Sequence, residues 1–431
     1  MNETIEYRHA EIRPMLAFAR VAQADWCRQS FADRRRYFRR LRRLIASNAM
    51  LLAQTAAEIK NRPLSEKLAS EVVPLADTCC WLEKRTGEVL RPRLEKRKHR
   101  PLWLQGVAFD VHRHPFGIIL VIGPANYPLF IPGSQILHAL AAGNAVLFKP
   151  APGTEMMAEV FARIAGCAGL DAGLFQVLPA MTDSAIAVIR EGIDKIIFTG
   201  RSKSGRSILA EAAARNTPAV MELTGEDAAL VLADADLDLV IRCLRFSARW
   251  NGGETCIAPQ RLIVVEAIAS EFRRKLAKAA ELPELPIQVV PDTLSAVREA
   301  MATPFGLGVS VFSANIGKAK SVAASIKSGF ALINDLIVPI GDPRMPFGGV
   351  KASGFGVTRG AEGLLEMTYP HVVAARHGRF RPHLDELHGN ATNLFASYLL
   401  AAHGQGRQRC KGFQGLLAAL ITESRTRRAK K

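Results

Sequence analysis

One cysteine in a glycine-rich segment has the surroundings of a nucleophile. Cys256 lies in NGGETCIAPQR, after two glycines and just before a predicted strand. Glycines let a backbone approach a ligand closely, so this thiol could lie beside a cofactor and a substrate. A free cysteine is more often an inert buried residue. The segment alone leaves both interpretations open.

An asparagine between two prolines is a candidate donor to a negatively charged oxygen. Asn126 lies in GPANYPLF, between Pro124 and Pro128, after the apolar run 117–123. The prolines restrict the local backbone, and an amide held in this way could donate to an oxyanion. The alternative is an ordinary turn residue.

A lysine at the end of a predicted strand is a candidate ligand contact. Lys149 ends the apolar run 144–148 and precedes Pro150. Open α/β sheets bind ligands at the carboxyl ends of their strands, so a ribose hydroxyl or a phosphate would suit this position. A solvent-facing lysine is the alternative.

A glycine-containing turn between a predicted strand and a helix is a candidate phosphate site. Gly200 and Gly205 lie in KIIFTGRSKSGRS, where Arg201 begins the helical stretch. A helix N-terminus offers free N–H groups to a phosphate, and a cofactor pyrophosphate would fit there. The segment matches neither GxGxxG nor a P-loop, and an ordinary strand–helix turn also explains it.

The elements around these residues predict a doubly wound α/β fold. Apolar runs rich in Val and Ile alternate with helix-length patterns, which is typical of a parallel sheet covered on both faces. The predicted strands are 117–123, 144–148, 175–178 and 195–200, and then 261–265, 287–290, 307–312 and 330–334. The predicted helices lie within 30–87 and at 133–142, 154–168, 183–190, 204–215, 269–281 and 317–326.

The composition excludes several protein classes. The chain has 431 residues, of which 48% are apolar and 23% charged, so disorder, collagen and a small disulfide scaffold are excluded. It has no apolar run long enough to span a membrane and opens without signal-peptide features, which predicts a cytoplasmic protein. Seven cysteines without a CxxC pair argue against a zinc site, and we expect no metal.

The net charge of +17 comes from three local segments. Residues 31–45, 84–100 and 401–431 carry +6, +6 and +7, and the rest of the chain carries −2. The first segment predicts a surface helix with a solvated basic face, and the last a solvated tail. RNA, anionic lipid or an acidic partner are the alternatives for the first, although a nucleic-acid role is not expected. Near the C-terminus, LFASYLLAA and FQGLLAALI predict packing helices or a subunit contact.

Taken together, these segments resemble the aldehyde dehydrogenase superfamily. The matching blocks span roughly residues 105–370 and follow the family's order. They are PANYPLF, GNAVLFKP, IIFTGRSKSG, MELTGEDAALVLADADLD, NGGETCIAP, and FALIND followed by MPFGGVKASGFG.

The resemblance implies a catalytic set. Cys256 would attack an aldehyde carbonyl as a thiolate, and Asn126 with a backbone N–H near Cys256 would hold the oxyanion. Glu222 would be the general base that activates Cys256 or the hydrolytic water.

The resemblance also implies a dinucleotide, NAD or NADP. Lys149 would contact the adenosine ribose and the Gly200–Gly205 turn the pyrophosphate, with Pro124 and Arg201 as further cofactor contacts. Pro152 stands where NAD-preferring members often carry a carboxylate, so NADP is also compatible.

The chain departs from the family in the region after Cys256. It reaches TPFGLGVSVF within about 50 residues, sooner than is usual, and lacks a recognisable EIFGP-like block, of which Glu284 is a candidate remnant. Residues 380–431 match no family block. We expect residues 1–225 to form N-terminal helices and a cofactor-binding domain, 226–355 a shortened catalytic domain, and 356–431 a C-terminal segment with a basic tail.

The leading hypothesis is NAD(P)-dependent oxidation of an aldehyde to a carboxylic acid by a homo-oligomer with a small oligomerisation arm. The alternatives are acyl transfer to coenzyme A and a reduced family member that serves as a structural or regulatory subunit. Because members that transfer the acyl group to coenzyme A typically lack the glutamate, Glu222 favours hydrolysis.

Overall fold

The predicted alternation of strands and helices builds two largely parallel sheets. The structure is a computed structural model that describes residues 2–95, 106–279, 284–378 and 390–429, together with residues 100, 101, 104, 282, 381 and 384. The strands are β1 (Arg93–Glu95), β2 (Val107–Pro115), β3 (Ile118–Ile122), β4 (Ala145–Lys149), β5 (Phe175–Val177), β6 (Lys195–Thr199), β7 (Ala219–Glu222), β8 (Ala228–Val231), β9 (Arg261–Val265), β10 (Ile287–Val290), β11 (Gly308–Phe312), β12 (Phe330–Ile333), β13 (Gly354–Phe355) and β14 (Thr368–Arg376).

The α-helices lie between and around these strands. They are α1 (Asn2–Arg28), α2 (Phe31–Ser47), α3 (Ala49–Lys60), α4 (Leu64–Lys67), α5 (Val73–Val89), α6 (Phe130–Ala142), α7 (Glu155–Cys167), α8 (Thr182–Glu191), α9 (Ser202–Ala214), α10 (Leu237–Arg249), α11 (Glu266–Lys278), α12 (Thr293–Met301), α13 (Ile316–Ala324), α14 (Gly360–Glu366), α15 (Ala391–His403) and α16 (Gly406–Ala429). A π-helical turn, Leu68–Val72, joins α4 to α5.

The first sheet has six strands in the order β13-β7-β6-β3-β4-β5. All its neighbours pair in parallel except β13, which is antiparallel to β7. The chain proceeds from β3 to β5 on one side and returns with β6 and β7 on the other, as in a doubly wound fold. The strand IILVI of β3 is fully buried because helices cover both faces of the sheet.

The second sheet has five strands, all parallel, in the order β10-β9-β8-β11-β12. Successive residues of β9 belong to two different apolar cores: Leu262 and Val264 pack on one face of the sheet, and Ile263 and Val265 on the other. This alternation is expected of a strand buried on both sides. The predicted fold class is confirmed.

The N-terminal basic segment forms α2, a helix with the predicted apolar stripe. Phe38, Leu41 and Ile45 are buried in the core beside the first sheet. The basic face is less solvated than predicted. Arg39 and Arg42 both bind the carboxylate of Glu83 on α5, at 2.8 and 3.1 Å, because this carboxylate would otherwise be buried without a partner.

The chain divides into two compact units, Met1–Glu95 with Asp110–Val373, and Lys96–Phe109 with Ala374–Lys431. The larger unit contains both parallel sheets. In the smaller unit, α15 and α16 pack against each other as a hairpin, as predicted for the two apolar stretches. A further sheet has the strand order β1-β2-β14.

Some predicted features extend beyond the described residues. These are residues 96–99 of the second basic segment, 280 and 281 of a predicted helix that is observed to end at Lys278, and 430 and 431 of the basic tail. Among the residues that are described, no helix is both long and apolar enough to cross a membrane.

Candidate active site

The candidate nucleophile lies in a loop that leads into β9. Cys256 is partly buried and lines a cavity of about 230 Å³. The loop begins with a tight 3₁₀ turn, Trp250–Gly253, in which Asn251 and Gly252 have φ values of 50° and 60°. Glycine and asparagine tolerate this left-handed conformation better than other residues, which explains the NGG sequence before the cysteine.

The cavity that Cys256 lines is mostly apolar. Of the described residues that line it, Glu222 and Arg359 are the charged ones. Its apolar residues come from several separate segments of the larger unit, namely Ala69, Pro74, Phe130, Ile131, Trp250, Ile257, Ile337, Val338, Ile340 and Phe347.

Glu222, the predicted general base, is a buried residue at the end of β7. Its Oε2 accepts hydrogen bonds from Thr199 Oγ1 at 2.8 Å and Gln135 Nε2 at 3.3 Å, and its Oε1 accepts one from Thr358 Oγ1. Burial raises the pKa of Glu222, while the two hydroxyl donors and the charge of Arg359 lower it. The hydrogen bonds therefore stabilise the ionised form of Glu222, which burial disfavours.

Arg359 is a buried cation between aromatic rings. Its guanidinium lies 4.7 Å from the ring centre of Phe347 and 5.4 Å from that of Phe130, and its Nη1 donates to the carbonyl of Ile340 at 2.6 Å. Burial lowers its pKa to about 10, against the opposing effect of Glu222. The residue has a φ of 59°, an uncommon conformation for a side chain of this size.

These charges act on the thiol of Cys256 in opposite directions. The pKa of this thiol is raised to about 12. Burial is the largest cause, the carboxylates of Asp227 and Glu222 also raise the pKa, and Arg359 lowers it. The thiol is therefore neutral at physiological pH in the free protein. It needs a base to become a nucleophile, and Glu222 lines the same cavity.

Asn126 is held against the nucleophile loop. Its Nδ2 donates to the backbone carbonyl of Glu254 at 2.8 Å. The backbone carbonyl of Asn126 accepts from Asn251 Nδ2 at 2.9 Å. Asn126 is not among the described residues that line the cavity. An amide nitrogen carries two N–H groups, so one remains available to an oxyanion. The neighbouring residue, Tyr127, forms a further hydrogen bond between the two loops, with 2.7 Å between its Oη and Thr255 Oγ1.

A buried ion pair holds these two loops in place through hydrogen bonds. Lys67 and Glu71 are both fully buried, with 3.5 Å between Nζ and Oε1, and Lys67 Nζ also donates to Asn251 Oδ1 at 2.8 Å. Glu71 Oε2 accepts the backbone N–H groups of Leu129 and Phe130, at 3.0 and 2.8 Å, at the start of α6. The pair thus fixes the turn before Cys256 and the start of the helix that carries Gln135.

The predicted cofactor residues gather at one edge of the first sheet. Pro124 follows β3, Lys149 ends β4 and Gly200 follows β6, and these three strands are neighbours. Arg201 is exposed at the N-cap of α9, and Gly205 is buried in its first turns. This edge includes the point where the strand order reverses, which is where doubly wound sheets bind nucleotides.

The helix start at this edge has the features of a phosphate cradle. A Cβ at Gly205 would lie 2.5 Å from Leu223 Cδ2, so a larger residue there would displace the Leu223 side chain. The buried Oγ of Ser202, the first residue of α9, has no hydrogen-bond partner among the described residues. Lys149 is buried, and desolvation lowers its pKa against the effect of the nearby Glu155. The residues therefore fit an anionic, hydroxyl-rich ligand such as a dinucleotide.

Comparison with known proteins identifies the family. The model of the aldehyde dehydrogenase family matches residues 2–284 and 282–373. The chain belongs to the aldehyde dehydrogenase family. The two matched pieces meet beyond Cys256, in the region where the sequence is shorter than expected. The α15–α16 hairpin lies outside both.

Curated relatives of this aldehyde dehydrogenase cover most of its length. It is 27% identical to the 4,4'-diapolycopene aldehyde oxidase of Methylomonas, over 84% of this chain and 81% of the relative. It is 25% identical to a putative NADP-dependent succinate-semialdehyde dehydrogenase of Mycolicibacterium smegmatis, over 84% of each chain.

Solved structures show the same fold. A putative aldehyde dehydrogenase from Burkholderia cenocepacia superimposes with a TM-score of 0.79 at 26% identity, over 86% of this chain and 92% of that one. An NAD-dependent aldehyde dehydrogenase from Sinorhizobium meliloti superimposes with a TM-score of 0.81 at 23% identity, over 88% and 89%.

The structure thus brings Cys256 and Glu222 into one cavity, sets Asn126 against the adjacent loop, and places the cofactor candidates along one sheet edge. Glu284 is exposed just before the edge strand β10 and does not line the cavity, so its interpretation as a cofactor-contacting remnant has no support. Gln135, Thr358 and Arg359 belong to the site without having been predicted from the sequence. A buried polar role for these residues depends on tertiary contacts and leaves no local pattern.

Proposed function

We propose that this aldehyde dehydrogenase oxidises an apolar aldehyde to a carboxylic acid, with NAD or NADP as oxidant and Cys256 as nucleophile. One observation carries the proposal: Cys256, a buried carboxylate and a buried guanidinium line the same apolar cavity. A neutral thiol next to a potential base is the arrangement that covalent catalysis requires.

The chain's residues supply the acid–base and electrostatic steps. Glu222 accepts the thiol proton, and the Cys256 thiolate adds to the aldehyde carbon to form a thiohemiacetal. The free N–H of the Asn126 amide, with the backbone N–H of Cys256, donates to the resulting oxyanion. When the hydride has left the former aldehyde carbon, a thioester remains on Cys256. Glu222 first releases the thiol proton to solvent and then takes a proton from water, whose oxygen attacks the thioester. It returns that proton to the leaving Cys256 sulfur, so that the acid and the thiol are released.

The dinucleotide, when bound, supplies a nicotinamide that accepts this hydride. The start of α9, with Gly200, Arg201 and Ser202, would hold the pyrophosphate, and Lys149 a ribose hydroxyl. Pro124 would lie beside the cofactor after β3. The names of an NADP-dependent relative and of an NAD-dependent structural neighbour support a dinucleotide without deciding between the two.

The cavity favours an aldehyde without a charged tail. Its walls are aliphatic and aromatic, and its cation, Arg359, is already engaged by two rings, by the Ile340 carbonyl and by the charge of Glu222. A substrate carboxylate would lose its hydration without gaining a free cation. We therefore expect kcat/KM for aliphatic or aromatic aldehydes to exceed that for succinic semialdehyde by about tenfold or more, since one poorly paired buried charge costs several kcal/mol.

The decisive experiment follows NADH and NADPH formation over a panel of such aldehydes. Cys256→Ala should abolish turnover and leave dinucleotide binding unchanged. Cys243→Ala is the matched control, because Cys243 is similarly exposed but does not line the cavity. Full activity of Cys256→Ala would refute the proposal. A folded wild-type protein without any turnover would favour the structural-subunit hypothesis. Acyl-coenzyme A as the product would favour acyl transfer.

A further inference from the structure

The hairpin of the smaller unit carries large apolar side chains on its surface. On α16, Phe413, Leu417 and Ile421 recur every four residues, and all three are exposed. On α15, Phe395 and Leu399 have the same spacing and are also exposed. Residues four apart lie on one side of a helix, so each helix has an apolar stripe that is not covered within the chain's described residues.

The line of contact between the helices shows where these stripes point. Close packing occurs at small residues: a Cβ on Gly412 would collide with the backbone of Ala401, and one on Gly415 with the side chain of Ser397. Asn390 Nδ2 donates to the carbonyl of Ala419 at 3.0 Å on the same line.

The two stripes share one side of the hairpin. Phe413 and Leu417 are rotated from the contact line of α16 by roughly 110–150°, and Phe395 and Leu399 are rotated by the same amount on α15. Because the two helices run antiparallel, side chains rotated by the same angle about the axis of each helix lie on the same side of the hairpin. We call these four residues the hairpin face.

Basic residues lie at the start of α16, and one of them, Arg409, adjoins the hairpin face. Arg407, Arg409 and Lys411 are exposed at the start of α16, and the Arg409 guanidinium lies 5.9 Å from the ring centre of Phe413. From residue 401 to the end, the sequence has eight Lys and Arg residues against a single acidic residue, Glu423. Apolar side chains bordered by cations on a helix are typical of binding at a membrane interface.

We propose that the hairpin face binds the surface of a bilayer that contains anionic lipid. The apolar side chains would enter the boundary between headgroups and acyl chains, and the basic residues would contact lipid phosphates. The 13 residues of α15 are too few to span a bilayer, so the hairpin lies on the surface. A second copy of the chain fits this face less well because it would bring two hairpin segments of charge +7 together. RNA would use the cations but leave the apolar side chains exposed.

Vesicle cosedimentation with the full chain tests the proposal, using phosphatidylcholine with and without phosphatidylglycerol. We expect binding that needs the anionic lipid and weakens with salt. Arg409→Gln should bind about fivefold more weakly, since a basic residue near the surface contributes about one kcal/mol. Leu417→Gln should reduce binding at least about tenfold.

Matched variants exclude general effects of charge and polarity. Arg35→Gln removes the same charge from an exposed position of α2. Leu294→Gln makes the Leu417 substitution at a site of equal exposure, 64% against 65%. Both should bind vesicles like the wild type. A circular dichroism spectrum and melting temperature like those of the wild type show that each variant is folded.

Several results would overturn the proposal. These are no binding to anionic vesicles, an equal loss of binding in the control variants, a dimer that Leu417→Gln dissociates, or binding of RNA in place of vesicles. The dimer would assign the hairpin face to a second copy of the chain. Loss of catalysis in Cys256→Ala leaves vesicle binding unchanged, so the two proposals fail independently.

Discussion

Replacing Thr358 by Val tests the proposed role of Glu222 through its pKa. Thr358 is buried and donates to Glu222 Oε1, and valine has nearly the same shape without the hydroxyl. To work as a base, Glu222 must be ionised. Losing a hydrogen-bond donor to the ionised form raises the pKa of Glu222. As the pH falls, the variant should therefore lose activity at a higher pH than the wild type does.

The size of the expected pKa change follows from the energy of the lost hydrogen bond. A hydrogen bond to a charged group is worth about 1.5–3 kcal/mol, and one pH unit corresponds to about 1.4 kcal/mol. The acid limb of the kcat–pH profile should therefore move up by about 1–2 units. Oε2 keeps its bonds to Thr199 and Gln135, so activity at high pH should be largely retained.

The assay is NAD(P)H formation between about pH 5 and pH 9, at saturating aldehyde and dinucleotide. Glu222→Gln should remove the limb together with most of the activity. Thr86→Val is the control, because Thr86 is a buried threonine whose hydroxyl binds a backbone carbonyl in α5. If the limb does not move in Thr358→Val, or moves equally in Thr86→Val, Glu222 is not the base that the profile reports.

Three further substitutions test other charges in the larger unit. Arg359→Met should raise the pKa of the Cys256 thiol, because it removes the cation that lowers it; alkylation by iodoacetamide at pH 9 should slow about tenfold or more. Lys67→Met should lower the free energy of unfolding by about 3–5 kcal/mol because it leaves the buried Glu71 unpaired, and Lys67→Met/Glu71→Gln should recover part of this in urea titrations. Burial raises the pKa of Asp227 from 3.8 to about 7, so the folded state keeps a proton that the unfolded state has lost. Stability should fall from about pH 4 to pH 7 by up to about 4 kcal/mol, and Asp227→Asn should flatten this slope in melting curves.

The sequence predicts eight of the eleven strands in the two largely parallel sheets, those with a strong local signal, and misses β7, β8 and β13. Runs such as IILVI in β3 and RLIVV in β9 are apolar throughout, which parallel strands buried on both faces require. Helix α12 was missed although Asp292 caps it, with its side chain accepting from Ser295 N–H. That capping signal could have identified the helix start.

The site was predictable only where the family blocks contain it. Cys256 and Glu222 lie in such blocks, and the structure places them in one cavity. Lys67 lies in SEKLASEV, where a lysine four residues before a glutamate is typical of a solvated helix face. Its burial follows from a π-helical turn and from Asn251, 184 residues away, neither of which leaves a local trace. Arg359 is hidden for the same reason, since its partners Phe130, Ile340 and Phe347 come from three other segments.

The shortened region after Cys256 bears on whether the site can work. Each group that acts on the thiol lies outside the stretch between β9 and α12: Glu222 ends β7, Asp227 precedes β8, and Arg359 precedes α14. The second sheet still closes as five parallel strands with a core on each face. The candidate nucleophile, its candidate base and the ion pair that holds the loop therefore lie outside the stretch that is expected to be shortened. In the family, the absent block meets the nicotinamide ribose and ring. Its loss should consequently raise the KM for the dinucleotide and leave alkylation of Cys256 unaffected, which distinguishes a weakened cofactor site from a disabled nucleophile.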